Sequence, residues 1–361
     1  MNLIKVSQQF GTEEACLDFL EKLRWPNGVA CVKCNGTKIS KFSTKPSERH
    51  RNKINKRTGV KETVVVPVPA RHLYECLTCG HQFTATAGTI FHDTHLPLHK
   101  WFLAITLMCN AKKGLSAKQL QRDLDIGSYK NAWHLAHRIR QAMFENNGES
   151  WLTGTVELDE TYLGGRFDKR RKRDRYEKIP VVGMLQRAQG EKCSKVRAFA
   201  VNKANGKRVT ELISENVNPL STLHTDESPL YDTSERVYKR KSVIHINKEW
   251  VRGDVHTNGI ESFWSLVERG VIGQFHQISW KHLHRYLAEF SYRFNNRDQE
   301  GTLFVATLIR MLIISNLPYA HLTAKLVGPS LEFPPKGTPP APRPVPDPKP
   351  ETIHPDFDPE V

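Results

Sequence analysis

Three sets of residues in this sequence carry chemistry by type and spacing. Cys31-Val32-Lys33-Cys34 and Cys76-Leu77-Thr78-Cys79 are two Cys-x-x-Cys turns, and together they offer the four thiolates of a tetrahedral zinc site. Two β-like runs end in acids: Thr155-Val156-Glu157-Leu158-Asp159-Glu160-Thr161, and Ser221-Thr222-Leu223-His224-Thr225-Asp226-Glu227. A third stretch, His256-Thr257-Asn258-Gly259-Ile260-Glu261-Ser262-Phe263-Trp264, opens a helix with a carboxylate in its first turns. Two strand-end acids and one helical acid are the layout of two-metal phosphoryl transfer. Carboxylates from these three stretches would hold two Mg²⁺ (or Mn²⁺), one activating the attacking oxygen and the other stabilising the leaving oxygen. His224 and His256 either assist these acids or are structural.

The elements that position these groups can be read outward from them. Trp25 and Pro26 before the first cysteine turn, and Tyr74 and Phe83 around the second, give a ribbon the small apolar surface its metal holds in place. Between the turns lie 41 residues rich in Lys and Arg (Lys38, Lys41, Lys45, Arg49, Arg51, Lys53, Lys56, Arg57, Lys61), with Glu48 the single acid before Lys61. This segment reads as an inserted basic hairpin or loop able to lie along a phosphate backbone. The ribbon either staples the fold or also touches DNA. No thioredoxin-like context surrounds either pair, so a redox role is disfavoured.

Apolar residues Trp101, Phe102, Ile105 and Met108 form a helical stripe. Ser116 caps a short helix over 117–124, Asp125-Ile126-Gly127 turns the chain, and Ser128 caps a further helix through Trp133, Ala136, Ile139 and Met143. The second helix carries Lys130, Asn131, His134 and Arg138. Two helices joined by a tight turn, the second basic, fit a helix-turn-helix that enters the major groove; an ordinary three-helix bundle with a solvated basic face fits as well.

From about 152 to 315 short β-rich runs alternate with helical ones, which predicts an α/β domain. Strands are expected at 156–158, 179–185, 196–201 and 221–224, and helices at 206–217, 260–267 and 281–294. Lys169-Arg170-Arg171-Lys172-Arg173, shortly after the first acid, reads as a solvated loop or a clamp on DNA. Trp250, Trp264 and Trp280 are core or stacking residues that sequence does not separate. Twelve of the 21 prolines lie between Pro329 and Pro359, a density that excludes helix and sheet and predicts an extended, disordered tail.

Lys+Arg number 53 against 38 Asp+Glu, a net charge of +15, which favours a polyanionic partner through counterion release. The apolar stretch 101–109 is far shorter than the roughly 20 residues of a membrane span. Seven cysteines, four of them in the two pairs, suit metal binding in a reducing compartment. The expectation is a cytoplasmic, nucleoid-associated protein without membrane association.

The order of these motifs, followed by Lys281-His282-Leu283, Arg285-Tyr286-Leu287, Glu289-Phe290 and Tyr292-Arg293-Phe294-Asn295-Asn296-Arg297, resembles the ISXO-like insertion-sequence transposases, relatives of the Merlin elements, over about residues 15–310. The resemblance implies an RNase H-like DDE domain with catalytic Asp159, Asp226 and Glu261, which would hold the Mg²⁺ ions; the 34 residues between the last two suit such an enzyme. Some branches of the family carry Asn at the third position, so Asn258 competes with Glu261, three residues away on the same helix; a carboxylate suits Mg²⁺ better than an amide. Glu268 stands where many relatives carry Lys. The expected domains are a zinc ribbon with basic insertion (1–90), a helix-turn-helix (91–150), an RNase H-like catalytic domain (151–327) and the Pro-rich tail (328–361). The implied activity is binding of terminal inverted repeats, phosphodiester hydrolysis and strand transfer. The partners are double-stranded DNA, as element ends and target, and at least one further copy of the chain. A non-catalytic domesticated regulator and a structure-selective nuclease are the rival readings.

Overall fold

The computed structural model describes residues 1–45, 47–54, 59, 61–68, 72–144, 151–163, 178–190, 193–299 and 301–324. The tail from 328 and the basic run Lys169–Arg173 lie outside them.

Two helices lead in, α1 (Leu3–Gln9) and α2 (Glu13–Arg24). Thr12 starts α2 by accepting from Ala15 N, and Glu13 and Glu14 in the first turn complement the helix dipole. The ribbon follows as β1 (Ile39–Ser43), β4 (His72–Cys76) and β5 (Gln82–Phe83), an antiparallel sheet in the order β1-β4-β5. The basic insertion is an antiparallel hairpin of β2 (Ser47–Ile54) and β3 (Lys61–Val68), as the sequence suggested.

Helices α3 (Leu98–Asn110), α4 (Ala117–Asp123) and α5 (Tyr129–Ala142) come next. Ser116 and Ser128 cap α4 and α5 by accepting from Gln119 N and Asn131 N, and Asp125 takes a positive φ in the turn between them. Their apolar faces form one core with α1 and α2.

That core has a distant member. Phe304, Leu308 and Met311 of α9 (Leu303–Ile313) and Leu322 of α10 (Tyr319–Thr323) are buried in it, and Ile90 N donates to Met311 O at 3.1 Å. The expected boundary of 151–327 for the catalytic domain therefore does not follow the cores, since 303–322 packs with the N-terminal helices.

The same packing corrects the reading of α5. Tyr129, Lys130 and Asn131 are exposed, but His137, Arg138 and Arg140 are buried. Arg138 donates to Ile90 O and His92 O and lies 4.7 Å from the Trp101 ring centroid. His134 Nε2 donates to Leu317 O at 2.8 Å. Arg140 donates to Glu289 at 2.6 Å, and Arg293 donates to the other oxygen of that carboxylate. Arg138 and His134 thus hold the fold together and do not form a free DNA-facing edge. The face that looked solvated from local periodicity is covered by α8 (Leu283–Asn295) and α9, more than 140 residues along the chain.

The α/β unit is a five-stranded sheet in the order β10-β9-β6-β7-β8. Its strands are β6 (Thr155–Leu163), β7 (Ile179–Gln186), β8 (Lys195–Ala200), β9 (Thr222–Thr225) and β10 (Lys239–Ser242). The first three form an antiparallel meander; β9 and β10 are parallel to β6 and to each other. Helix α6 (Gly206–Asn216) makes the crossover from β8 to β9. Alternation along the strands divides the faces. Val156, Leu158, Val182 and Met184 pack with Val209, Leu212 and Ile213 of α6, while Val181 and Leu185 pack with α7 (Asn258–Gly270) and α8.

Candidate active site

Glu157 and Asp159 are two apart on β6 and so project to the same face. Gly183 on β7 pairs with Asp159 on that face, and a Cβ there would sit 2.3 Å from Trp264 Cζ2 of α7. The absence of a side chain at 183 is what lets the helix carrying the third acid lie against the strand carrying the first.

The pairing of β6 with β9 aligns Glu157 with His224. The observed pairing ends there; Asp159 lies two residues further along β6, and Asp226 is the first residue after β9. Asp226 is set by its own loop: Ser228 N donates to Asp226 Oδ1 at 3.0 Å. Arg240 of β10 braces the surrounding backbone, donating to Asp226 O at 3.1 Å, Ser228 O at 3.2 Å and Thr225 Oγ1 at 2.8 Å.

Helix α7 is anchored from the sheet. The carboxylate of Glu157, 1% exposed, accepts from Ile260 N at 2.9 Å and from Arg187 Nε at 2.7 Å, and lies 3.4 Å from His256 Nδ1. Arg187 also donates to Asp254 O at 2.7 Å and His256 O at 2.9 Å. The negative group at the helix N-terminus is thus supplied by β6 and not by a local cap. Thr257, the residue before the helix, instead donates its hydroxyl to Glu261 Oε1 at 2.7 Å. Glycine at 259 makes this approach possible, because a Cβ there would meet Glu157 Oε2 at 2.7 Å.

Burial pushes the Asp159 carboxyl up to about 7, with the charges of Glu160, Asp226 and Glu261 adding to the rise. The three acids singled out in the sequence therefore share one electrostatic neighbourhood. Asn258 is exposed on the first residue of α7. Glu160 points the other way along β6, accepting from Tyr231 Oη at 2.5 Å and Ser228 Oγ at 3.4 Å. Burial raises its pKa too. His224 is buried, and burial with the nearby Arg187 charge holds it down to about 4, a neutral packed imidazole. Carboxylate charges that raise Asp159 in this way are a donor set of the type that divalent cations take.

In the ribbon, the four sulfurs of Cys31, Cys34, Cys76 and Cys79 lie within 4.8 Å of one another. Cys31 and Cys79 are 3.7 Å apart and Cys34 and Cys76 3.5 Å. Zn–S bonds of about 2.3 Å in a tetrahedron place sulfurs roughly 3.8 Å apart, so the cluster fits zinc. Trp25, Tyr74 and Phe83 form the expected aromatic floor, with ring centroids 5.5 to 5.9 Å apart.

Comparison with known proteins agrees with this architecture. Residues 151–295 match the ISXO2-like transposase domain, and residues 11–82 the transposase zinc-ribbon domain. An uncharacterized protein in transposable element ISH50 of Halobacterium salinarum is 27% identical over 277 residues, covering 72% of this chain and 83% of that protein. An uncharacterized transposase-like protein of Haemophilus influenzae is 26% identical over 126 residues, covering 35% of this chain and 98% of its own length. The two family matches thus fall on the ribbon with its lead-in helix and on the α/β sheet with α6 to α8. Among the described residues, no helix is long and apolar enough to cross a membrane.

Sequence reasoning missed Glu157, Arg187 and Arg240. Glu157 stood inside the first acidic motif, and a charged residue amid Val156 and Leu158 on a core strand was a readable sign of a buried partner. Arg187 and Arg240 had no such sign.

Proposed function

We propose that this chain is a DNA transposase with an RNase H-like catalytic domain, binding the inverted repeats of its own element and cutting and rejoining DNA there. The observation that carries the reading is that residues 151–295 match the ISXO2-like transposase domain, and within them Asp226 and Glu261 lie close enough for their charges to raise Asp159. Divalent cations held by these carboxylates would supply the Lewis acidity for hydrolysis to a 3′-OH and for its attack on target DNA.

The protein's own part is alignment. Asp159 lies on β6 just beyond its pairing with β9, Asp226 is held in the loop after β9 by Ser228 N, and Glu261 is oriented by the Thr257 hydroxyl on a helix that Glu157 anchors. Such preorganisation lowers the reorganisation needed when the reacting phosphate arrives. Zinc in the four-cysteine ribbon is structural. Binding draws on the net charge of +15, the hairpin of β2 and β3, and the exposed first turn of α5 with Lys130 and Asn131. Lys169, Arg170, Arg171, Lys172 and Arg173 add five positive charges to the chain for the same purpose. Two element ends require at least two copies of the chain in the DNA complex, and such a protein works at the nucleoid.

The test is cleavage of duplexes carrying the DNA that flanks the gene, against random and branched DNA, with Mg²⁺. Wild-type protein should cut at the element ends. Asp159→Asn, Asp226→Asn and Glu261→Gln should each lose about a thousandfold or more while still binding. Asn258→Ala should be milder. Equal cutting of branched DNA without end preference favours the nuclease; binding without cutting favours the regulator. A dead Asn258→Ala beside an active Glu261→Gln reassigns the third ligand.

A further inference from the structure

Of the three tryptophans that sequence left together, Trp264 is 5% exposed and belongs to the core, whereas Trp250 is 57% exposed. Trp250 shares its loop with Ile246, 84% exposed, and Val251, 51% exposed. Three large apolar side chains side by side in water are unusual unless something covers them.

The loop is built to hold them out. At one end, Glu227, the residue after Asp226, accepts from His245 N at 2.8 Å and Ile246 N at 3.2 Å. At the other end, Arg187 holds Asp254 O and His256 O, and Arg252 and Val255 exchange backbone hydrogen bonds at 2.9 and 3.0 Å. The loop is thereby tied to the second acid and to the helix of the third. The His245 ring lies 4.5 Å from the Trp250 ring, tilted by 37°, which steadies the indole.

The surroundings say what covers it. Lys248 and Arg252 are exposed in the same loop, and the neighbouring edge strand β10 carries Lys239 and Lys241, whereas its Arg240 is turned inward and paired with Asp232 and Glu235. Glu249 and Asp254 offset only part of this charge, pairing with Arg252 and Lys241. A second copy of this strongly cationic chain would bring like charge against this face. A nucleic acid brings the opposite charge, and its bases offer flat faces to an indole.

We propose that Trp250, flanked by Ile246 and Val251, is a stacking platform for a base unpaired from the DNA end beside the cleavage position. A base taken out of the duplex leaves its phosphate free to enter the carboxylate cluster. This inference rests on the transposase reading.

The experiment uses the full chain and duplexes of the element end with 2-aminopurine placed at successive positions around the cut, in Ca²⁺ so that cleavage does not intervene. Wild type should raise the fluorescence at one or two positions, Trp250→Ala should abolish the rise, and Trp250→Phe should keep most of it. In Mg²⁺, Trp250→Ala should cut the perfect duplex about tenfold or more slowly, and a mismatch at the same position should restore the rate. The proposal is overturned if Trp250→Ala leaves the fluorescence rise intact. It is equally overturned if the variant slows matched and mismatched substrates alike, or lowers the number of chains per DNA, which would mark a contact between copies. Wild-type protein that does not bind end-containing DNA overturns the underlying transposase reading itself.

Discussion

The ribbon sulfurs and the candidate acids are both sets of anionic ligands, yet they are held in opposite ways. Four sulfurs on two short turns lie within 4.8 Å of one another, and among the described residues no other metal-binding group of three or more gathers so tightly. Asp159, Asp226 and Glu261 arrive on a strand, the loop after a second strand and a helix, each fixed by its own hydrogen bond, and burial with the neighbouring carboxylate charges raises Asp159. The first arrangement is closed, with every tetrahedral position filled by the protein, and its metal contributes directly to folding. The second is open, and its geometry is carried by the sheet and by Glu157 whether or not a cation is bound. A closed site depends on its metal for shape; an open site depends on its scaffold and can give positions to substrate.

The largest effect should come from the closed site. Cys31→Ser or Cys76→Ser should lose the single zinc per chain and unfold the ribbon between Trp25 and Ala87, read by metal analysis and limited proteolysis. A folded, reduced protein containing no zinc would break the comparison at once. Next is the scaffold of the open site. Glu157→Leu strands the Arg187 guanidinium and leaves Ile260 N without an acceptor, at a cost of roughly 3–5 kcal/mol in urea unfolding. Glu157→Gln keeps an acceptor for Ile260 N and should lose less. Unchanged stability and cleavage in Glu157→Leu would mean that α7 is positioned by something else.

A gain in stability should follow from relieving the acids. Asp159 binds its proton more tightly in the folded state, about 7 against an ordinary 3.8, so the metal-free protein loses stability as pH rises through that interval. Asp159→Asn should therefore stabilise the metal-free protein by on the order of 2 kcal/mol at pH 8 and very little at pH 4. Saturating Mg²⁺ should shrink the difference, because the wild type recovers stability on binding cations. A variant that is less stable at pH 8 would show that repulsion does not govern this site. The smallest effect distinguishes the two parts of α5. Lys130→Ala should weaken DNA binding a few-fold and lower the salt dependence by about one counterion, with an unchanged melting temperature. Arg138→Ala should do the reverse, lowering the melting temperature through the loss of its buried carbonyl contacts.

What sequence could show followed from what is local. Cysteine spacing found the sulfur cluster, Ser116 and Ser128 announced two helix starts, and the acid at each strand end marked the electrostatic neighbourhood. The expected strands and helices of the α/β unit all formed, because periodicity and caps are properties of neighbouring residues. The burial of Arg138 and Arg140 was not legible, since the groups that hold them, the Ile90 and His92 carbonyls with Trp101 for Arg138 and Glu289 of α8 for Arg140, lie far along the chain and leave no mark on α5 itself. The same holds for the Glu157 anchor, which joins residues 103 positions apart.

The return of α9 to the N-terminal core bears on how the chain is made. Phe304 lies with ring centroids 6.1 Å from Phe10 and 5.6 Å from Phe102, so the helical unit is completed by a segment that leaves the ribosome after the entire catalytic sheet. A nascent chain interrupted before residue 303 has α1 to α5 without their cover, with Phe10 and Phe102 open to solvent and to chaperones. The helices proposed to read DNA thus reach their finished form only after the acids have been synthesised, and a prematurely ended chain is poorly equipped to occupy a DNA end that it cannot cut.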